Sequence, residues 1–419
     1  MSLRPYRDLV SFARGGGWGS DRPLDGHDRV AVIRGTDFAA VRAGRTDAVP
    51  HRWEKRPALP QRLLRPGDVL LEISGGSAAR GQSTGRSLFV DAELLSGFDH
   101  PVIPASFCRV LRFDTSLVEP RYAYYGLLDM YLSGRVRAYE NQSTGISNFG
   151  FDGFLGAERL RVPPLDEQRR IVALLGALDD RIGGNERVVN AYEDLLRAEF
   201  AALGVTAVGG TVPVTELVEF NPRTPPPDPA GAPYVDMAAL PTRVAAIRTW
   251  SRRPPRSGSR FRNGDTLLAR ITPCLENGKT GYVDLLAGDE TGAGSGEFIV
   301  LRARPGVPPQ LPYFLARDGR FRAHAIQRMA GSTGRQRVHA ADLADFRITV
   351  PGPRALAVFG DRAGAAFAHA AALLAESRSL TELRDVLLPE LMSGRQSLPA
   401  PAPACTIEGT DEAASSVYE

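Results

Sequence analysis

The stretch Pro163-Pro164-Leu165-Asp166-Glu167-Gln168-Arg169-Arg170-Ile171-Val172 begins a long amphipathic pattern in the middle of the chain, and Pro351-Gly352-Pro353-Arg354-Ala355-Leu356 begins a second one near its end. In the first, Asp166 and Glu167 fall in the opening turn, where carboxylates favour the positive end of a helix dipole. Ile171, Leu175, Leu178, Ile182, Val189, Tyr192 and Leu196 then recur at spacings of three and four, once Asn185 is admitted to the seam. The second pattern, Arg354 to Leu388, is alanine-rich, with Phe359, Ala363, Ala366, Ala370, Leu373 and Leu380 on one stripe. Small seam residues let two helix axes approach closely, and antiparallel packing of one helix on the other is the simplest pairing. An unbroken helix of about 35 residues spans roughly 50 Å. Gly183-Gly184 interrupts the first pattern at a cost of about 1 kcal/mol per glycine relative to alanine, which leaves open whether the helix runs on, kinks or breaks there. The plainer alternative is two ordinary core helices, each serving its own domain.

Each helix signal follows a β-rich segment. Arg29-Val30-Ala31-Val32-Ile33, Asp68-Val69-Leu70-Leu71-Glu72-Ile73 and Phe107-Cys108-Arg109-Val110-Leu111-Arg112-Phe113 read as short strands, and Tyr122 to Val136 as a helix. The theme returns after residue 211. Leu64-Arg65-Pro66-Gly67-Asp68-Val69-Leu70-Leu71 aligns with Phe261-Arg262-Asn263-Gly264-Asp265-Thr266-Leu267-Leu268, and the Phe107 run with Phe298-Ile299-Val300-Leu301-Arg302. Gln142-Ser143-Thr144-Gly145 aligns with Gly331-Ser332-Thr333-Gly334, and Leu311 to Met329 supplies the helix-like part. A period of half the chain means a duplicated module, not a short solenoid repeat.

At 419 residues and 43% hydrophobic content the chain can build two packed cores, and a net charge of +3 confines any nucleic-acid contact to local patches. Lys55 and Lys279 are its lysines and every other basic side chain is arginine. Arginine offers planar, bidentate donors to phosphate or guanine, although GC-rich coding bias explains the same composition more plainly. Cys108, Cys274 and Cys405 are odd in number and widely spaced, so neither a disulfide framework nor a zinc site is expected. The N-terminal residues carry no apolar leader and no run reaches the roughly 20 residues of a membrane helix, which predicts a cytoplasmic protein without membrane contact. Residues 396–419, with Pro399-Ala400-Pro401-Ala402-Pro403, read as a disordered tail.

Catalytic motifs fail on inspection. Asn277-Gly278-Lys279-Thr280 looks like the end of a phosphate-binding loop, but Pro273 stands where that loop needs glycine. Gly294-Ser295-Gly296-Glu297-Phe298 resembles a cofactor-holding glycine turn of methyltransferases. Its required partner is met only by Asn221-Pro222-Arg223-Thr224, which lacks the second proline and the aromatic and lies upstream. A plain turn before a strand is the better reading. The six histidines have neither metal-ligand nor catalytic spacing. Basic, polar loops do stand out, because Arg and Gln read purine edges while Ser, Thr and further Arg hold phosphates. Arg80, Gln82, Ser83, Thr84 and Arg86 form one such loop, and Arg328 to Arg337 another. A third runs from Arg248 to Arg262 without an acidic residue. Charged runs are also, and more often, simply solvated surface.

Together these stretches resemble the specificity (S) subunit of type I restriction-modification systems. Pro163 to Val172, continuing through Leu178-Asp179-Asp180-Arg181-Ile182 and Asn185, is similar to that family's central conserved region. Leu383-Arg384-Asp385-Val386-Leu387-Leu388-Pro389-Glu390-Leu391-Met392-Ser393-Gly394 is similar to the end of its distal one. Gly264 to Lys279 resembles a recurring stretch of its target recognition domains, and Gly331 to Val338 the loop before the second conserved helix. The distal segment Pro351 to Gly360 lacks the Glu-Gln pair of the central copy.

The resemblance implies an α+β fold of two mixed β-rich target recognition domains separated by a long antiparallel two-helix coiled coil, with internal pseudo-two-fold character. The expected division is 1–155 and 211–347 for the two recognition domains, 156–210 and 348–395 for the central and distal conserved helices, and 396–419 for the tail. It implies a non-catalytic, cofactor-free, metal-free subunit that reads a bipartite site on double-stranded DNA. Its partners would be two methyltransferase (M) subunits and restriction (R) subunits, in defence against phage. The residues expected at DNA are Arg80, Gln82, Ser83, Arg86, Gln142, Ser143, Thr144 and Asn148 in the first module. In the second they are Arg252, Arg253, Arg256, Arg260, Arg270, Thr272, Asn277, Lys279, Ser332, Thr333, Arg335, Gln336 and Arg337. Alternatives are a recognition subunit of a related defence system with other effectors, a self-sufficient DNA methyltransferase or nuclease, and a scaffold that binds only proteins.

Overall fold

A computed structural model describes residues 2–75, 83–143, 146–255, 257–332 and 334–399. The chain divides into two compact units, Met1–Asp180 with Thr381–Glu419, and Arg181–Leu380. In the first unit β1 (Ser2–Pro5), β2 (Val10–Gly15), β3 (His27–Ile33) and helix α1 (Phe38–Arg42) come first. They are followed by β4 (His51–Lys55), β5 (Val69–Glu72), β6 (Ser74–Gly75), β7 (Ser87–Phe89) and helix α2 (Ala92–Ser96). Next are β8 (Val102–Pro104), β9 (Cys108–Phe113), α3 (Pro120–Leu132), β10 (Glu140–Ser143), β11 (Ile146–Phe149), α4 (Phe151–Ala157) and β12 (Arg159–Val162). The main sheet is antiparallel in the order β2-β9-β5-β7, beside a β4-β3-β8 sheet in which β3 and β8 are parallel. Both faces of β5 and β9 are covered, so β5 opens with the unbroken apolar run Val69-Leu70-Leu71 and β9 is apolar except at Arg109 and Arg112. Val69, Leu71, Leu111 and Phe113 enter one core, and Leu70, Cys108 and Val110 enter another.

After the long helix α5 (Leu165–Ala202), the second unit repeats this plan. Its strands are β13 (Val212–Pro213), β14 (Val218–Phe220), β15 (Ala232–Val235), β16 (Ser251–Arg253), β17 (Ser259–Phe261), β18 (Thr266–Ala269), β19 (Thr280–Tyr282), β20 (Gly292–Gly294) and β21 (Phe298–Ala303). Helices α6 (Leu311–Arg317), α7 (Gly319–Gln327) and α8 (Ala340–Ala344) precede β22 (Arg347–Ile348) and the final helix α9 (Pro353–Ser393). The order β14-β21-β18-β19 matches β2-β9-β5-β7 strand for strand, and β15 runs parallel to β20 as β3 does to β8. Burial again alternates: Leu268, Ile299 and Leu301 enter one core, and Leu267, Ala269, Phe298 and Val300 the other.

The best internal sequence match is structural. Gly67 and Gly264 take φ of 90° and 88°, a left-handed turn that glycine adopts without steric cost. Asp68 then accepts the Arg65 N–H at 2.9 Å and both guanidinium arms of Arg112 at 2.8 and 3.1 Å. Asp265 does the same with the Arg262 N–H at 2.8 Å and Arg302 at 2.7 Å twice. Each buried aspartate thus closes its turn and bolts it to the neighbouring strand.

The long helices serve both roles that their patterns suggested. In the first unit Ile171 and Leu175 of α5 share a core with Leu388, Leu391 and Met392 of α9, and Asp179 accepts from Arg384 at 2.7 Å and from the Tyr125 hydroxyl at 3.0 Å. Gln168 is fully buried there. It accepts from the Glu119 N–H at 2.8 Å and donates to Leu117 O at 3.1 Å and Pro163 O at 2.8 Å. In the second unit Arg181 pairs with Glu376 at 2.9 Å, Tyr192 with His369 at 2.8 Å and Arg362 with Glu199 at 2.8 Å, so partner numbers fall as positions rise and the segments are antiparallel. Gly183-Gly184 does not break the helix: α5 is continuous from Leu165 to Ala202. The contacts around the glycines explain it. Asn185 donates to Leu373 O at 3.3 Å, Glu376 Oε2 at 3.0 Å and Ser377 Oγ at 3.2 Å, and Val189 packs with Ala370 and Leu373. Tertiary packing of this kind outweighs an intrinsic penalty of about 1 kcal/mol per glycine.

Candidate nucleic-acid interface

The sequence-predicted residues gather mainly at one end of each main sheet, where β5 or β18 ends and β9 or β21 begins. In the first unit β5 leads into β6, which joins β11 and β10 in a small sheet with Asn148 opposite Ser74. Ser74 Oγ donates to Asn148 Oδ1 at 2.8 Å. Arg86 is held by the buried Glu72 through bonds of 2.8 and 2.5 Å, which push its pKa up. Ser83 and Arg86 line a cavity of about 790 Å³ together with Trp18, Arg34, Phe107 and Tyr131. Phe107 is 59% exposed at the β8–β9 turn, and the Arg52 guanidinium lies 4.6 Å from the Trp18 ring centre. These aromatics carried no signal in the sequence, because their exposure depends on which turn they occupy. Arg80, Gln82 and Thr144, and the side chains of Gln142 and Ser143, lie outside the described residues.

In the second unit the same junction is built from charge. Arg337 stands where Asn148 does, bridging to Ile271 as Asn148 pairs with Ser74. It grips Glu297 at 2.9 and 2.7 Å, and Arg270 reaches the same carboxylate at 3.1 Å. Hydrogen bonding to Arg337, ahead of that to Arg270, holds the Glu297 carboxyl below its ordinary range. Thr272 Oγ1 accepts from the Gln336 N–H at 3.1 Å, fixing this loop to the β18 exit. Lys279 donates to Met237 O at 2.7 Å and braces a turn. Asn277, Ser332 and Arg335 are exposed, and Arg335 has no side-chain partner among the described residues. Arg256 and Thr333 lie outside them.

The basic run from Arg248 to Arg262 does not form one patch. Its strands β16 and β17 are opposite edges of the sheet β16-β15-β20-β17. Arg252 pairs with Glu290 at 2.8 Å, and Arg253 pairs with Asp236 at 3.1 Å while lying 3.6 Å from the Tyr234 ring centre. Arg248 is bidentate to Glu186 at 2.5 and 2.8 Å. Arg260, on β17, instead lines an open cavity of about 610 Å³ with Arg270 and Arg223, a residue that sequence reading passed over.

Chemically, these surfaces offer guanidinium, amide and hydroxyl donors beside exposed aromatics. No grouping of His, Cys, Asp and Glu that would hold a metal ion occurs among the described residues. Burial pushes the Cys108 thiol up to about 12, so it is not a nucleophile near neutral pH. The Gly294–Phe298 segment is a turn between β20 and β21. No described helix is long and apolar enough to cross a membrane.

No family model and no curated protein sequence matches this chain. Solved structures do. The S subunit of a type I restriction-modification system from M. genitalium superposes with a TM-score of 0.54 at 14% identity, over 93% of this chain and 96% of that one. A structure concerning complex assembly and conformational transition of the type I R-M system gives a TM-score of 0.35 at 15% identity, over 93% and 97% of the two chains. The HsdS subunit from Thermoanaerobacter tengcongensis gives 0.33 at 15% identity, over 94% and 97%. The chain therefore has the α+β fold of the M. genitalium S subunit along nearly its whole length.

Proposed function

We propose that this chain is the DNA-recognition subunit of a type I restriction-modification complex, working in the cytoplasm and without catalysis of its own. Each β-rich module contacts one half of a split target on double-stranded DNA, and the paired helices set the gap between the halves. Methyltransferase (M) subunits would supply adenine methylation and restriction (R) subunits cleavage. The observation that carries this reading is the fold shared with a type I S subunit over 93% of the chain. The duplicated module, with its donor-rich loops at the same sheet end, is consistent with two readers. Long-read methylome sequencing of the host with and without this gene tests it. A two-part methylated motif should vanish with the gene, and an unchanged methylome would refute the reading.

A further inference from the structure

We propose that the cavity beside the Asn221–Thr224 loop of the second unit is a seat for a DNA backbone phosphate, held by Arg223 and Arg260, and that it positions this module on the duplex without reading a base. This rests on the DNA-recognition reading above and deepens it. The cavity measures about 610 Å³, and none of the residues lining it is acidic. Arg248, Arg252, Arg253, Arg270, Arg302 and Arg337 each face a carboxylate in this unit. The side chains of Arg223 and Arg260 are exposed and have no hydrogen-bond or ion-pair partner among the described residues, yet both converge on this cavity.

The walls are rigid. Asn221 takes a left-handed φ of 48°, uncommon outside glycine, and is fixed on both sides: its N–H donates to Val300 O at 2.7 Å and its Oδ1 accepts the Val300 N–H at 3.0 Å. The Thr224 hydroxyl accepts from Arg302 at 3.1 Å and donates to Pro222 O at 3.1 Å, tying the loop to the buried Asp265–Arg302 bolt. On the facing wall Gly258 has a φ of 149°, and a Cβ there would lie 2.1 Å from Gly294 O. A phosphodiester accepts hydrogen bonds only and can be gripped by forked guanidinium donors from more than one side, whereas guanine, the base that arginine reads, takes a single bidentate guanidinium on its O6 and N7. A preformed, carboxylate-free pair of arginines suits the former.

Among the described residues the first unit has no counterpart of Arg223. By strand register Arg14, opposite Val110, is the counterpart of Asn221, opposite Val300, so Gly16 stands where Arg223 does. A side chain at Gly16 would meet Pro104 O and Ala105 O at 2.2 Å.

The test uses the full chain assembled with its methyltransferase subunits. Binding is measured across a salt series to a duplex carrying the methylome-defined site and to a random-sequence duplex. For Arg223→Ala and Arg260→Ala, the slope of log affinity against log salt should flatten by about 1 for each arginine removed. Both duplexes should lose affinity by the same factor, the methylated motif should stay the same, and Arg223→Lys should keep the wild-type slope. Both side chains are exposed, so melting temperatures should match wild type. An unchanged slope overturns the seat. So does a loss confined to the site duplex with a relaxed motif, which would make Arg223 a base reader. A wild-type complex without salt-dependent affinity for either duplex overturns the DNA-recognition reading itself.

Discussion

Arginine dominates the basic residues of this chain, and the structure sorts its arginines into bolts, braces and free donors. Arg302 is a bolt: Asp265 is fully buried, and removing the guanidinium strands its charge. Arg302→Ala should cost about 3–5 kcal/mol, read as a shifted denaturant midpoint, and a loss below about 1 kcal/mol would show that the pair is dispensable. Arg337 is a brace. Glu297 has a depressed pKa, so its contribution is present above the unfolded carboxylate range and is lost as pH falls through the folded value. Arg337→Ala should raise the Glu297 pKa toward its ordinary value, so that the contribution is smaller and its loss is complete at a higher pH. A carboxyl-resolved NMR titration would register the change. Little of this division was legible in the sequence. An arginine-rich run with no acidic neighbour suggests free charge, yet Arg248, Arg252 and Arg253 draw their carboxylates from Glu186, Glu290 and Asp236, on other segments. Arg223 escaped for the converse reason: lacking a partner is a property of the folded surroundings.

At the scale of elements, the heptad-like seam of α5 and the alanine stripe of α9 were readable because helix periodicity is local. Whether two glycines break a helix is not local, since it depends on what packs beside them. Asn185 anchors the seam at that point, as polar seam residues do when they fix register. Asn185→Ala should therefore destabilise the second unit by about 1–3 kcal/mol, because it removes the amide that ties α5 to Leu373, Glu376 and Ser377 of α9. Gly184 has room for a side chain: a methyl there would have only Arg187 nearby, at 3.9 Å. Gly184→Ala should stabilise by about 0.5–1 kcal/mol. Thermal unfolding of the two variants would separate the effects, and equal destabilisation by both would show that the glycines are required.

At the scale of the whole chain, the duplication was legible from Asp68 and Asp265 and their flanks, because a buried bolt constrains its neighbours in sequence. The strand order was not legible, because pairing such as β9 beside both β2 and β5 is set by long-range register. If each module serves one half-site, Arg335→Ala should alter only one half of the methylated motif, with a loss of about 1–3 kcal/mol for a bidentate base contact. Methylome sequencing of the variant would show either one relaxed half or, against the idea, two unchanged halves.

The first unit takes its material from both extremities of the chain: Leu388, Leu391 and Met392 complete a core otherwise drawn from residues before 176. On the ribosome, the second unit is therefore ready to fold before the first is finished, although it is made later. A chain stopped after Leu380 should keep slow amide exchange in the second unit while α3 and β5 exchange quickly, an order of maturation opposite to the order of synthesis.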